Sequence, residues 1–206
     1  MKAILANATN PAQHCKVLWQ STTFMRAQET ATTWWLTGLP GAGKTTLAQA
    51  LAQALRQRGK PVCVIDGDEL RAGLCQDLGF DDASRAENVR RAAHMARLLN
   101  DNAIHAVVAM VSPAADARAA AYATVGLQRC KEIFVSTPLQ VCEQRDPKGL
   151  YARARVNPLA QMTGVQAAYE TPLAPWLSLD TSVTDVPLAV TQMLACCNTH
   201  PHPLHE

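Results

Sequence analysis

The residues of this chain whose types and spacing could do chemistry fall into three groups. The first is Gly38, Gly43, Lys44 and Thr45 within TGLPGAGKTT, which satisfies G-x-x-x-x-G-K-[ST] at every position. Glycines let the backbone curl so that successive N–H groups converge on phosphate oxygens, and the positive end of a helix starting at Lys44 faces the same oxygens. Lys44 is then placed for the β- and γ-phosphates, and the Thr45 hydroxyl for magnesium. A nucleoside triphosphate is the implied donor. The loop does not choose the acceptor, because kinases, hydrolases and binding modules all use it.

Asp66 and Asp68 of VCVIDGDEL form the second group. At the carboxyl end of a strand, such a pair can hold a nucleotide's metal, often through water, or draw a proton from an acceptor hydroxyl. A turn followed by a helix N-cap would use the same letters. The third group is Arg85 and Asn88, three apart on one face near the start of a helix. An arginine there can clamp an anionic group, and an asparagine can meet a base or ribose edge. Arg90, Arg91 and Arg97 suit solvated helix charges better.

These groups need elements to hold them. Apolar runs at 33–37, 62–66, 104–111, 133–136 and 177–179 read as strands, and the stretches 44–58, 84–102, 114–125, 138–145 and 185–197 as helices. Ser84 and Glu87 make a capping-box pattern before NVRRAAHMARLL. Alternation of this kind predicts an α/β fold of the P-loop NTPase type, a parallel sheet with helices on both faces. Residues 1–30 read as a polar N-terminal arm with helical character near 21–29, 31–197 as one kinase-like domain, and 198–206 as a flexible tail. Between 146 and 170 the pattern breaks into a polar segment containing Gly149, Pro158 and Gly164, a candidate lid.

A net charge of +2 is too small to argue for a nucleic-acid or membrane surface, so neither is an expected partner. Seven cysteines, an odd number, do not make a secreted disulfide framework, and a cytoplasmic protein with reduced thiols is the expectation. Cys196, Cys197, His200, His202 and His205 have the chemistry of a soft-metal site, but their spacing fits no closed zinc site.

The blocks WLTGLPGAGKTT, DGDELRAGLCQDLGF, SRAENVRR, VSP, FVSTPLQVCEQRDPKGLYARAR and TGVQAAYE, in this order over roughly 34–181, resemble the adenylylsulfate kinase (APS kinase) family. The resemblance implies that ATP, with Mg2+, phosphorylates the ribose 3′-hydroxyl of adenosine 5′-phosphosulfate to give 3′-phosphoadenylylsulfate and ADP. It also implies a homodimer. Carried onto this chain, Gly38, Pro40, Gly41, Ala42, Gly43, Lys44, Thr45 and Thr46 would serve ATP, with Thr45 on the metal and Asp66 reaching it through water. Asp68, with Asp66 as runner-up, would act as base or orienting group at the acceptor hydroxyl. Arg71, Phe80, Arg85, Asn88, Ser112 and Pro113 would hold the acceptor, Phe80 stacking on its adenine. Lys148, Gly149 and Leu150 would cover both nucleotides, with Met162 beside the acceptor.

Three positions depart from the family pattern. Glu69 stands where asparagine is usual, Ala114 and Ala115 where an aromatic and a basic residue are, and Met162 where a phenylalanine would complete an aromatic sandwich. Losing one stacking partner costs ~1 to 3 kcal/mol, of which a sulfur–aromatic contact returns ~0.3 to 1.5 kcal/mol. A kinase for another nucleotide or small-metabolite hydroxyl, and a non-catalytic nucleotide-binding module, are the alternatives. Intact Lys44, Thr45, Asp66 and Asp68 speak against the second.

Overall fold

The computed structural model describes residues 30–157 and 162–195. Its elements run β1 (Thr33–Thr37), α1 (Lys44–Gln57), β2 (Val62–Asp66), α2 (Gly67–Ala72), α3 (Asp82–Asp101), β3 (His105–Ala109), α4 (Ala115–Val125), β4 (Cys130–Val135), α5 (Leu139–Arg145), α6 (Leu150–Val156), β5 (Leu177–Leu179) and α7 (Val186–Ala195). The strands form one sheet in the order β2-β3-β1-β4-β5, with every pairing parallel. The expected α/β fold is therefore present.

Side chains on successive strand residues point to opposite faces, and β1 uses both faces for burial. Trp34 and Leu36 pack with Leu47, Leu51, Ile133 and Met193 on the side of α1 and α7, whereas Trp35 packs with Ile65, Val89, Ala92, Ala96 and Val108 on the side of α3. A buried indole needs an acceptor for its N–H. Trp34 Nε1 donates to Met193 O at 3.2 Å and Trp35 Nε1 to Ser112 Oγ at 3.1 Å, so the central strand is tied to both layers.

Boundaries differ from the sequence pattern where polar groups have tertiary partners. β4 starts at Cys130 rather than 133, and the added Lys131 and Glu132 sit over the Trp176 ring and against Arg118 respectively. β3 is shorter than its apolar run, because Ala103 takes φ 58 and the first register pair is His105 with Val62. Two short helices, α2 and α6, were not visible as periodicity. The helical character near 21–29 and the Cys/His tail lie outside the described residues.

The capping box is a correction. α3 begins at Asp82, and its N-cap is Asp81, whose carboxylate accepts from Ser84 N at 2.9 Å and Ser84 Oγ at 2.6 Å. Glu87 does not reach back; it pairs with Arg90 and Arg91. Asp wins the position because its carboxylate takes two donors at once and favours the positive helix end. Asp81→Ala is expected to lower the melting temperature more than Ser84→Ala, followed by circular dichroism; the reverse order would return the cap to Ser84.

Candidate active site

The loop between β1 and α1 is shaped by what lies behind it. A Cβ on Gly38, at φ +146, would sit 2.5 Å from Val135 O, and one on Gly41, at φ +76, would sit 2.8 Å from Cys142 O. Both positions lie in the region that favours glycine, and both face backbone that cannot yield. Ala42 is fully buried, with its carbonyl accepting from Thr137 Oγ1 at 3.1 Å and Thr181 Oγ1 at 2.9 Å. No side chain caps α1, which leaves its first N–H groups available to an anion.

Lys44 Nζ donates to the carbonyls of Gly38 and Leu39 at 2.9 and 2.8 Å. Burial pushes its ammonium from the ordinary 10.5 down to about 8, against the opposing pull of Asp66 and Asp68. Thr45 Oγ1 donates to Asp66 Oδ2 at 2.7 Å, while Asp66 Oδ1 accepts from Asp68 N at 2.9 Å. Asp66 is thus both the end of β2 and the N-cap of α2. Capping and metal-adjacent readings of this residue are compatible. Asp68 is exposed and ion-paired with Lys148, whose pKa that contact raises.

These groups open onto a cavity of about 1360 Å³, larger than the roughly 300–1,000 Å³ typical of a single small-ligand site. Its lining includes Pro40, Gly41, Gly43, Lys44, Thr45 and Thr46 of the loop, together with Arg71, Phe80, Arg85, Asn88, Ser112, Pro113 and Met162, and also Asp66, Asp68, Lys148 and Leu150. Among the residues expected from sequence, Gly38, Ala42 and Gly149 are not on this wall. The first two shape the loop from behind, and Gly149 is the left-handed N-cap of α6.

Phe80 is 61% exposed, with the Arg71 guanidinium 4.4 Å and the Arg85 guanidinium 6.0 Å from its ring centre. Arg71 Nη1 donates to Gly79 O at 2.7 Å, Arg85 Nε to Phe80 O at 2.7 Å and Arg85 Nη1 to Thr163 Oγ1 at 3.0 Å. The two cations therefore present the ring as well as charge. Asn88 is buried, and its Oδ1 has no hydrogen-bond partner among the described residues. An unpaired buried acceptor costs free energy unless a ligand donor meets it.

Sequence reasoning missed several residues here. Tyr151 is buried and its Oη donates to Pro40 O at 2.9 Å; Arg145 donates to Thr181 Oγ1 and O at 2.7 and 2.9 Å, and both of those residues line the cavity. Tyr151 could have been found as the last letter of DPKGLY, and Thr181 from its place just after a strand's carboxyl end.

A family model described as adenylylsulphate kinase matches residues 30–180. The chain belongs to the adenylylsulphate kinase family. An adenylyl-sulfate kinase of Pseudomonas aeruginosa is 43% identical over 166 residues, 81% of this chain and 85% of that protein. The Mycobacterium tuberculosis APS kinase CysC, solved in complex with AMPPNP and APS, is 39% identical with a TM-score of 0.78, over 82% of this chain and 99% of that one. A hexameric APS kinase from Thiobacillus denitrificans is 31% identical with a TM-score of 0.62, over 87% of this chain and 31% of that chain. The fold of this adenylylsulphate kinase family member is thus the fold of its relatives.

The depressed Lys44 pKa has a measurable sign. In the unfolded chain the lysine keeps its proton up to 10.5, in the folded chain only to about 8, so between these values the unfolded state binds more protons and stability rises with pH. Relative to Lys44→Met, the wild type should gain on the order of 3 kcal/mol across that window, measured by urea unfolding at stepped pH. A pH-independent difference would mean an ammonium of ordinary pKa.

Proposed function

We propose that this chain transfers the γ-phosphoryl group of ATP to the ribose 3′-hydroxyl of adenosine 5′-phosphosulfate, yielding 3′-phosphoadenylylsulfate and ADP. The observation that carries this proposal is that one cavity is lined by the phosphate loop, by an arginine-flanked aromatic ring, and by Asp66 and Asp68. Relatives named adenylyl-sulfate kinase at 43% identity support it.

In this scheme the backbone N–H groups of Gly41, Gly43, Lys44, Thr45 and Thr46, with the Lys44 side chain, hold the triphosphate. Thr45 Oγ1 and Asp66 are hard oxygen donors 2.7 Å apart, chemistry that suits Mg2+, and they would hold it directly or through water. A magnesium ion held by these two residues would supply charge neutralisation for the triphosphate. Arg71 and Arg85 attract the anionic phosphosulfate, Phe80 takes the adenine on its exposed face, and Asn88 Oδ1 accepts from an N–H or O–H of the nucleoside. Asp68 orients the 3′-hydroxyl and takes its proton, while Lys148 sets the carboxylate's position and, with Leu150, excludes water from the 146–170 lid side. A loose phosphoryl-transfer transition state needs this positioning more than covalent chemistry. We place the protein in the cytoplasm as a homodimer; the hexameric state of the Thiobacillus denitrificans relative supports self-association in the family.

ADP release from MgATP should depend on adenylylsulfate, with AMP and adenosine as poor acceptors, and Lys44→Ala should abolish it. Asp68→Asn should lower kcat by about 10²- to 10⁴-fold, the span of a general base. ATP turnover indifferent to adenylylsulfate would sink the proposal. In Met162→Phe, a second aromatic face should lower KM for adenylylsulfate by several-fold, the lower end of the ~1 to 3 kcal/mol of a stacked base; an unchanged KM would show that the thioether already does the work.

A further inference from the structure

One guanidinium gathers three carbonyls from two distant stretches of the chain, two of them from residues that line the cavity. Arg118, on α4, is only 3% exposed. Its Nη1 donates to Ser112 O at 2.9 Å and Pro113 O at 3.1 Å, its Nη2 to Glu170 O at 2.8 Å, and its Nε to Glu132 Oε1 at 3.0 Å. Ser112 and Pro113 line the cavity and are among the residues assigned above to the acceptor. Glu170 ends the segment that begins at Asp146.

Neighbouring contacts reinforce the junction. Glu170 N donates to Pro113 O at 3.0 Å, and Glu170 Oε2 accepts from Ala115 N at 2.6 Å. Ala114, the N-cap of α4, has no side chain to do this, so the cap comes from 55 residues away in sequence. Tyr169 Oη shares a hydrogen bond with Thr37 Oγ1 at 2.9 Å, and its ring stacks on Phe134 at 6.0 Å. Ser112 itself has φ +45, a left-handed conformation that a non-glycine residue keeps only when its surroundings over-determine it.

We infer that Arg118 is a positioning residue for the acceptor: it fixes the Ser112–Pro113 wall and fastens the trailing end of the 146–170 segment to it. The leading end is fastened elsewhere. Tyr151 Oη bonds the phosphate-loop carbonyl of Pro40, and Asp146 holds Tyr151 N and Ala152 N at 3.2 and 3.0 Å. One segment therefore has two anchors, one on the donor loop and one on the acceptor wall. Only arginine can serve the second, because its planar fork presents donors in several fixed directions, whereas lysine offers a point charge.

The inference rests on the acceptor assignment above, and steady-state kinetics with both substrates varied separate the two. Arg118→Lys keeps a cation beside Glu132 but loses the fork. Its KM for adenylylsulfate should rise by about tenfold or more, the scale of a lost hydrogen bond to a charged group, while KM for ATP stays within about twofold. Tyr151→Phe should show the opposite split, raising KM for ATP. Equal rises in both constants, or unchanged constants in a folded Arg118→Lys protein, would overturn the inference. If that variant does not fold, the Arg118→Gln, Glu132→Gln double variant decides, because it removes the fork without leaving a buried carboxylate unpaired: an elevated adenylylsulfate KM upholds the anchor and an unchanged one removes it. Wild-type protein without turnover of adenylylsulfate overturns the acceptor assignment and this acceptor-specific inference together; wild-type turnover with unaltered variants overturns the inference alone.

Discussion

The site depends on one carboxylate that belongs to two loops. Asp66 takes the Thr45 hydroxyl on one oxygen and the Asp68 N–H on the other. Those donors come from the segments that follow β1 and β2, strands that are not neighbours, since β3 runs between them. Register brings them level: Leu36 and Asp66 both pair with Ala109, so the chain leaves the two strands at the same height. A shift of one residue in either pairing would turn Asp66 to the other face of the sheet. The parallel sheet is in this sense the ruler against which the phosphate loop and the Asp66 and Asp68 carboxylates are set.

Charge is arranged around that centre with little redundancy. Lys44 is buried and held by two carbonyls of its own loop, so its ammonium sits where an anion would relieve its desolvation. Arg71 and Arg85 spend part of their hydrogen-bonding capacity on the turn that carries Phe80, which orders an otherwise exposed ring. The two arginines thus have two parts, bringing positive charge to the cavity lining and holding the turn that carries the aromatic face. An arginine-to-lysine exchange at either position would keep the first role and weaken the second.

Local signals in the chain spell out most of this architecture. All five strands come from short apolar runs, and the phosphate loop from glycines and a lysine at fixed spacing. What stayed hidden was the work of residues whose partners are distant. Lys131 and Glu132 look unlike strand residues until Trp176 and Arg118 are beside them. α2 and α6, with 6 and 7 residues, are too short for a 3.6-residue period to show. Arg118 is a lone cation in an alanine-rich helix, and its meaning comes from carbonyls at 112, 113 and 170. The helix cap at Asp81 was missed for a different reason: Ser84 and Glu87 fit a known pattern that a better acceptor three residues earlier displaced.

Tyr151, Ala154 and Met162 belong to the same apolar cluster as Trp34, Leu47 and Met193. α6 is therefore a part of the core that also borders the cavity, rather than a flap resting on its surface. Any displacement that lifts it exposes apolar side chains to water and carries a positive heat-capacity increment, as unfolding does. Its free energy would then curve with temperature, and the same displacement would grow less costly on cooling as well as on strong heating.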